Sequence, residues 1–216
     1  MSVFIVRLLT IVLAFGIAAF NLTGNTFAAA ANKPTPVAPR TAVFAGGCFW
    51  GVEAVFEHVK GVISVRSGYA GGDLRTANYD DVSTGETGHA EVVSITYNPS
   101  LVSYEKLLEV FFSVAHDPTE LNFQGPDHGS QYRSAIFYLN AAQKKQAETF
   151  IAGIESSKKL TNPVVTTLEP LVKFFEAEKY HQDYLKAHPT QPYIVINDMP
   201  KLEDLKERFP ELYVTK

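Results

Sequence analysis

Cysteine is almost missing from this chain of 216 residues, in which Cys48 is the only one. One cysteine cannot form a disulfide within the chain, and it excludes a zinc site built from several thiolates. A single thiol is then either a small buried apolar side chain or a reactive group. The residues around Cys48 indicate which of these two interpretations is correct.

A strong excess of charge of either sign is missing as well. The chain has 19 Lys and Arg against 23 Asp and Glu, a net charge of -4, and it has no run of basic residues. This balance gives no reason to expect a nucleic-acid partner. The sequence also contains no close group of His, Cys and Asp at the spacing of metal ligands, so no metal site is expected.

Long hydrophobic runs are limited to one, and it lies at the N-terminus. Arg7 precedes an apolar stretch over residues 8–20 that is broken only by Thr10, and four alanines follow at 28–31. A cation, an apolar stretch and small residues in this order predict a signal peptide over residues 1–30. The protein is therefore expected to be exported, to the periplasm or outside the cell. An uncleaved anchor over residues 1–20 is the alternative, although the stretch is short for a membrane span.

The folded domain is expected over residues 41–216, after a flexible leader over residues 31–40 that contains three prolines. In this part, β-rich segments alternate with amphipathic ones, which predicts one α/β or α+β domain, a mixed sheet with helices packed on it. The last segments are predicted to be a helix over 174–188 and an extended run over 192–197. A polar loop over 116–132 is too long for a simple connection, which makes it a functional candidate.

Cys48 lies where a predicted strand ends and a predicted helix begins, in the stretch AGGCFWGVEAVF. At the start of a helix, the free backbone N–H groups and the helix dipole favour the thiolate, which is the reactive form of cysteine. Gly46 and Gly47 permit a tight turn and let a substrate approach the backbone. Phe49 and Trp50 are placed to wall an apolar pocket beside the sulfur. These features together favour a reactive thiol.

Six blocks, in the same order, resemble the class A peptide methionine sulfoxide reductases, and the resemblance covers about residues 41–184. The blocks are GGCFWG (46–51), SGYAGG (67–72), NYDDVSTGETGHAEVV (78–93), HDPT (116–119), DHGSQYRSAI (127–136) and AEKYHQDYL (177–185). The resemblance implies a two-layer α/β sandwich in a single domain, with a mixed sheet and a plait-like core. It implies reduction of the S epimer of methionine sulfoxide, free or in proteins, without a metal or flavin cofactor. We expect the enzyme to be a monomer.

The resemblance also implies the catalytic roles. Cys48 is the nucleophile that attacks the sulfoxide sulfur. Glu91, at an inward-facing position of a predicted strand, is the acid that protonates the departing oxygen, since a carboxyl in an apolar pocket has a raised pKa. Tyr79 and Tyr132 hold the oxygen through their phenol groups, as an oxyanion hole does. Asp127 is the supporting carboxylate of the same network.

The substrate-binding residues follow from the same resemblance. The S-methyl group is expected to lie against Phe49 and Trp50. Gly47 leaves room at the backbone, and His128 stands beside the supporting carboxylate. The other five histidines are expected to be structural or surface residues: His58, His89, His116, His181 and His188.

The reaction would leave Cys48 as a sulfenic acid, which must be reduced before the next turnover. Many members of the family resolve it with further cysteines near the C-terminus and pass the disulfide to thioredoxin, but the tail over residues 200–216 contains none. We therefore expect an external thiol to reduce Cys48. The candidates are glutathione with a glutaredoxin-like partner, or a thioredoxin-fold protein.

Two other functions remain open at this point. A Cys–His hydrolase or acyltransferase would need a histidine held against Cys48 by the fold. A non-catalytic exported binding module would carry an inert thiol instead. Sulfoxide reduction measured against thioester or peptide hydrolysis distinguishes the enzymes, and slow alkylation of Cys48 would favour the binding module.

Overall fold

The structure, a computed structural model, describes residues 37–216. The predicted signal peptide (1–30) and residues 31–36 of the predicted leader lie outside this part. Residues 37–39 have no regular structure, and the first strand begins at Arg40. Among residues 37–216, no helix is both long enough and apolar enough to cross a membrane.

Residues 37–216 contain eight strands and six α-helices. The strands are β1 (Arg40–Gly46), β2 (Val62–Ala70), β3 (Ala90–Tyr97), β4 (Phe123–Gln124), β5 (Asp127–His128), β6 (Ser134–Tyr138), β7 (Thr167–Pro170) and β8 (Phe175–Glu176). The helices are α1 (Phe49–Glu57), α2 (Tyr79–Val82), α3 (Tyr104–Val110), α4 (Ala141–Ser157), α5 (Tyr184–Ala187) and α6 (Met199–Arg208). Helical turns with π-type bonding cover Phe111–Ala115 and Ile194–Asp198, and short 3₁₀ turns cover Leu74–Thr76, Ser130–Tyr132 and Lys179–His181.

A six-stranded mixed sheet is the centre of the fold. Its order is β7–β6–β1–β3–β2–β8, with β6 and β7 parallel and the other neighbours antiparallel. Strands β4 and β5 form a separate hairpin inside the polar loop of residues 116–132. The predicted mixed sheet with packed helices is confirmed.

The main core lies between the sheet and helices α1, α3, α4 and α6, whose buried side chains form one cluster. The alternation along β1 explains the two faces, because successive side chains of a strand point to opposite sides. Phe44 belongs to the core under the helices, whereas Val43 and Ala45 belong to a small cluster on the other face, against which Leu171 and Phe174 pack. The helices therefore form a second layer on one side of the sheet.

The predicted helix over residues 174–188 is wrong. This segment contains β8, a 3₁₀ turn and the short α5. Asp183 is left-handed, with φ of 54°, and interrupts any continuous helix. The amide of Gln182 instead bonds to both backbone groups of Ser67 on β2, at 3.0 and 2.9 Å. These tertiary hydrogen bonds outweigh the helix propensity of the segment.

The predicted extended run over residues 192–197 is wrong as well. Ile194–Asp198 is a helical turn that leads directly into α6, and Ile194 is buried in the main core. A short apolar run has no periodicity that separates a strand from a buried helical segment. This turn and α6 bring the C-terminal part of the chain next to α1.

Candidate active site

Cys48 is the N-cap residue of α1, directly after β1, as predicted. It is buried, with 8% of its surface exposed. Gly47 turns the chain between the two elements with φ of +90°, a conformation that other residues rarely adopt. A Cβ at Gly47 would lie 2.6 Å from Cβ of Gln124. The turn therefore requires glycine for its conformation and for its space.

The ionisation of Cys48 differs from the sequence-based expectation. Burial raises the pKa of the thiol well above its ordinary value, and the neighbouring carboxyls of Glu91, Asp198 and Asp127 raise it further. The backbone N–H of Trp50, at the start of α1, acts in the opposite direction but has the smaller effect. The free enzyme thus holds Cys48 as a thiol, and the predicted resting thiolate is wrong.

Glu91 is held next to Cys48 by the backbone of α1. The N–H of Phe49 donates a hydrogen bond of 3.0 Å to Oε2 of Glu91. The side chain is 2% exposed, and burial raises its pKa from 4.5 to about 8, against the lowering effect of that hydrogen bond. Because its pKa lies above neutrality, Glu91 carries a proton at pH 7 and is able to donate it.

Tyr79 and Tyr132 lie near the same carboxyl. Tyr79 begins α2, and Tyr132 ends the 3₁₀ turn Ser130–Tyr132. Burial and the charge of Glu91 raise the pKa of Tyr79 to about 12 and raise that of Tyr132 as well. Cys48 and Asp127 act on both phenols electrostatically, so all five groups share one site. Both phenols stay protonated and can donate hydrogen bonds to an oxygen atom.

Asp127 is positioned by a residue that the sequence did not indicate. The hydroxyl of Tyr193 donates a hydrogen bond to Oδ2 of Asp127. Burial and the charge of Cys48 raise the pKa of Tyr193, which shows that this pair also lies near the sulfur. His128, next along β5, is exposed and stacks on Phe123 with ring centroids 5.3 Å apart. The structure therefore brings Asp127 into the site and leaves His128 at its outer edge.

Phe49 and Trp50, which we call the aromatic wall, are braced by the C-terminal part of the chain. The ring of Trp50 stacks on Tyr184 at 3.8 Å between centroids, with an interplanar angle of 7°. Its indole Nε1–H donates to Nδ1 of His181 at 3.1 Å. Phe49 is 5.0 Å from the His181 ring, and Tyr79 is 4.4 Å from it. The wall is thus fixed by packing and by a hydrogen bond.

His181 was expected to be structural or at the surface, and it is buried between the aromatic wall and Tyr79. Glu178 supports the same group, because it accepts hydrogen bonds from the Tyr69 hydroxyl at 2.8 Å and from the Tyr79 N–H at 2.9 Å. The block AEKYHQDYL, which contains Glu178, His181 and Tyr184, was the available signal. Its residue roles were missed because the segment was assigned to one helix.

The described residues, 37–216, were also compared with what a Cys–His hydrolase and a metal site would require. No histidine there hydrogen-bonds to Cys48, so the Cys–His hydrolase is not supported. His116, close to the turn, bonds to the carbonyl of Phe111 at 2.9 Å and to Oγ of Ser134 at 2.7 Å, and burial lowers its pKa to about 4. In the same part of the chain, no group of three or more His, Cys, Asp and Glu residues is arranged to hold a metal ion.

Comparison with known proteins agrees with this geometry. The family model described as peptide methionine sulfoxide reductase matches residues 40–212. The peptide methionine sulfoxide reductase MsrA 2 of Mesorhizobium japonicum is 57% identical over 176 residues, which cover 82% of this chain and 90% of that protein. The MsrA of Sulfolobus acidocaldarius is 50% identical over 170 residues, which cover 79% of this chain and 95% of that protein.

Solved structures confirm the fold. Mxr1 from Saccharomyces cerevisiae in its reduced form superposes with a TM-score of 0.67 and 34% identity, covering 73% of this chain and 90% of that chain. Methionine sulfoxide reductase A of Corynebacterium diphtheriae gives a TM-score of 0.63 and 30% identity, covering 71% and 76%. The predicted single α/β domain is therefore confirmed. The chain belongs to the peptide methionine sulfoxide reductase family, and its activity is the reduction of peptide methionine S-sulfoxide.

Proposed function

We propose that Cys48 is the nucleophile of this reduction and is left as a sulfenic acid. The step is balanced without an added proton: Cys48–SH and a methyl sulfoxide give Cys48–S–OH and a methyl thioether. The cysteine sulfur loses two electrons, and the sulfoxide sulfur gains them. The observation that carries the proposal is the Phe49 N–H to Glu91 hydrogen bond, which holds Glu91 beside the residue that follows Cys48, while burial keeps this carboxyl protonated.

The proton moves in step with the attack. Since Cys48 rests as a thiol, its proton and that of Glu91 are both available when the sulfoxide oxygen takes on negative charge. Glu91 donates to that oxygen, and the thiol proton restores Glu91 as the sulfur bond forms. Tyr79 and Tyr132 donate hydrogen bonds to the same oxygen and stabilise the charge in the transition state. Asp127, held by Tyr193, supports this network.

The aromatic wall gives the substrate methyl group an apolar surface. Trp50 is partly exposed, so binding a methyl group against its ring removes apolar area from water, whereas Phe49 is already buried and has little exposed area to lose. At Gly47, Gln124 fills the space that a side chain would take, so the expected room for substrate is not found there and this glycine serves the turn before Cys48. His128 contributes at the exposed edge, where a peptide substrate enters.

Reduction of the sulfenic acid falls to an external thiol in this proposal. Cys48–S–OH and R–SH give Cys48–S–S–R and water, and a second thiol then releases Cys48–SH and the disulfide of the reductant. The 216 residues hold no second cysteine, which supports this route over an internal disulfide. The reductant is glutathione with a glutaredoxin-like protein, or a thioredoxin-fold protein.

We also propose that the enzyme is monomeric and exported, with residues 1–30 removed as a signal peptide. Only the sequence supports export: Arg7, the apolar stretch over 8–20 and the alanines at 28–31. Mass spectrometry of the N-terminus of the protein isolated from cells tests it. A new N-terminus near residue 31 agrees with cleavage, whereas an intact Met1 contradicts it.

The catalytic proposal is tested by a single turnover without reductant. Wild-type protein mixed with one equivalent of a peptide containing methionine S-sulfoxide should yield the thioether, and Cys48 should gain the mass of one oxygen atom. A sulfenic-acid trapping reagent should label it. Cys48→Ser should form no product. Product formed by Cys48→Ser, or product without any modification of Cys48, would overturn the proposal.

A further inference from the structure

Asp198 is a buried carboxylate that the proposed reaction does not use. It ends the helical turn Ile194–Asp198, and its side chain is 0% exposed. Within the described residues, neither of its carboxylate oxygens accepts a hydrogen bond. Lys201, one turn further along α6, places its Nζ 3.6 Å from Oδ1. Burying a carboxylate is costly even with a compensating charge, so this position calls for a reason.

The pair packs against the first turn of α1. A Cβ at Gly51 would overlap Oδ1 of Asp198 and would lie 3.1 Å from Nζ of Lys201. Gly51 follows Cys48 by three residues, and residues at this spacing are neighbours on a helix surface. The Asp198–Lys201 pair is therefore beside the turn that carries the reactive sulfur.

Several elements present charged or titratable groups to that sulfur. Glu91 comes from β3, Asp127 from β5 and Asp198 from the turn before α6. The phenols that face it are Tyr79, Tyr132 and Tyr193. After burial and Glu91, Asp198 has the next largest effect in raising the pKa of Cys48.

Lys201 affects the ionisation of the Asp198 carboxylate, and through it the electrostatic environment of Cys48. Burial raises the pKa of Asp198 to about 6, and the ammonium group of Lys201 opposes this rise. Asp198 is consequently ionised at neutral and alkaline pH, in the range where a cysteine loses its proton.

We propose that Asp198 and Lys201 are positioning residues for the thiol chemistry of Cys48: the buried carboxylate beside the first turn of α1 makes the sulfur harder to ionise, and Lys201 limits this effect. The proposal rests on the proposed function for its purpose. The purpose is to keep a proton on Cys48 until the sulfoxide oxygen can take it.

Alkylation of Cys48 by iodoacetamide, followed against pH, tests the proposal on the intact chain. With one cysteine in the sequence, the alkylation rate reports Cys48 alone. Asp198→Asn should lower the midpoint pH by about half a unit or more, because it removes one negative charge that disfavours the thiolate. Lys201→Met should raise the midpoint, because the carboxylate loses its compensating charge.

Asp204→Asn is the matched control. Asp204 forms an exposed ion pair with Arg208 on the same helix, with 3.7 Å between Oδ2 and the guanidinium. Its removal should leave the midpoint of Cys48 unchanged, because exposed charges are screened by water and salt. An electrostatic effect should shift the midpoint pH of Cys48 alkylation in opposite directions in Asp198→Asn and Lys201→Met. Loosening of α6 would instead shift both midpoints in the same direction.

An unchanged or higher midpoint in folded Asp198→Asn overturns the proposal. If a thermal melt shows that this variant does not fold, Lys201→Met decides alone, and an unchanged or lower midpoint then overturns the proposal. None of these measurements involves sulfoxide reduction. Failure of the proposed function, seen as product formed by Cys48→Ser, is thus distinguishable from failure of this inference.

Discussion

The backbone N–H of Phe49 and the carboxyl of Glu91 are joined by a hydrogen bond of 3.0 Å between N and Oε2. This bond uses a free amide at the start of α1, where helices leave their first N–H groups without a partner. It holds the acid on β3 next to the residue that follows Cys48, so the separation of acid and sulfur is set by backbone rather than by flexible side chains. Because Oε2 accepts this bond, Oε1 is left to carry the proton.

The first prediction is that Glu91→Gln lowers the rate of the chemical step by about 10²–10⁴-fold, the usual contribution of a general acid. Glutamine has nearly the same shape and can still accept the Phe49 N–H bond, but it has no proton of suitable acidity to donate. Single-turnover formation of the thioether measures the step. A thermal melt is the control for folding. A rate close to that of the wild type would remove Glu91 as the proton donor.

The second prediction concerns the pH dependence of stability. The pKa of Glu91 rises from 4.5 in the unfolded chain to about 8 in the fold, mainly through burial. The folded protein then holds a proton that the unfolded chain releases, so this contribution is complete below pH 4.5 and is lost as the pH rises through 8. Its size is at most on the order of a few kcal/mol.

Urea unfolding of the wild type and Glu91→Gln at pH 5, 6.5 and 8 measures this contribution. The free energy of unfolding of the wild type, relative to that of the variant, should fall steadily across the series. His116 and Glu53 also titrate in this range, but their effects are common to both proteins and cancel in the difference. A difference that stays constant or grows with pH would contradict the raised pKa of Glu91.

The local sequence pattern predicted part of the site, and the family resemblance implied the roles of Tyr79, Tyr132 and Asp127. The turn at Gly47, the start of α1 and the inward direction of Glu91 on β3 depend on neighbouring residues and on strand alternation. The hydrogen bonds of Trp50 to His181 and of Tyr193 to Asp127 join residues that are 131 and 66 positions apart. No local pattern encodes such pairs, and the roles of these partners therefore came from the structure.

The expected thiolate at Cys48 failed for a related physical reason. The helix terminus is a local feature, and its N–H groups do lower the pKa of the thiol. Burial depends on the packing of distant segments, and so does the nearness of Asp198, 150 residues further along the chain. These two tertiary effects outweigh the local one. In the segment over 174–188, tertiary contacts also outweigh the local preference. Gln182 bonds to β2 there instead of continuing a helix.

The third prediction is that Gly51→Ala destabilises the protein by about 1–3 kcal/mol, the usual cost of overpacking. In an open helix, replacing glycine with alanine stabilises by about 0.5–1 kcal/mol. At Gly51 the new Cβ would overlap Oδ1 of Asp198, which is fully buried and has little room to move. Urea unfolding measures the change.

Gly153→Ala provides the matched control for that variant. Gly153 lies within α4, and no atom lies within 4 Å of the position that its Cβ would take. It should therefore show the ordinary stabilisation of about 0.5–1 kcal/mol. If both variants stabilise the protein, the contact between Asp198 and the first turn of α1 is not as tight as described.

The fourth prediction is that Trp50→Phe raises KM for a sulfoxide peptide by about tenfold while kcat changes little. Phenylalanine loses part of the apolar surface, the full stack on Tyr184 and the hydrogen bond to His181, whose lowered pKa keeps Nδ1 an acceptor. A contact made equally in the ground state and the transition state affects KM alone, and small apolar contacts are worth roughly 10–200-fold in selectivity.

Tyr213→Phe, in an aromatic pair with His58 outside the wall, should leave both constants unchanged. If Trp50→Phe lowers kcat and leaves KM unchanged, Trp50 acts on the reacting atoms rather than on the substrate methyl group, and the aromatic wall is assigned the wrong role.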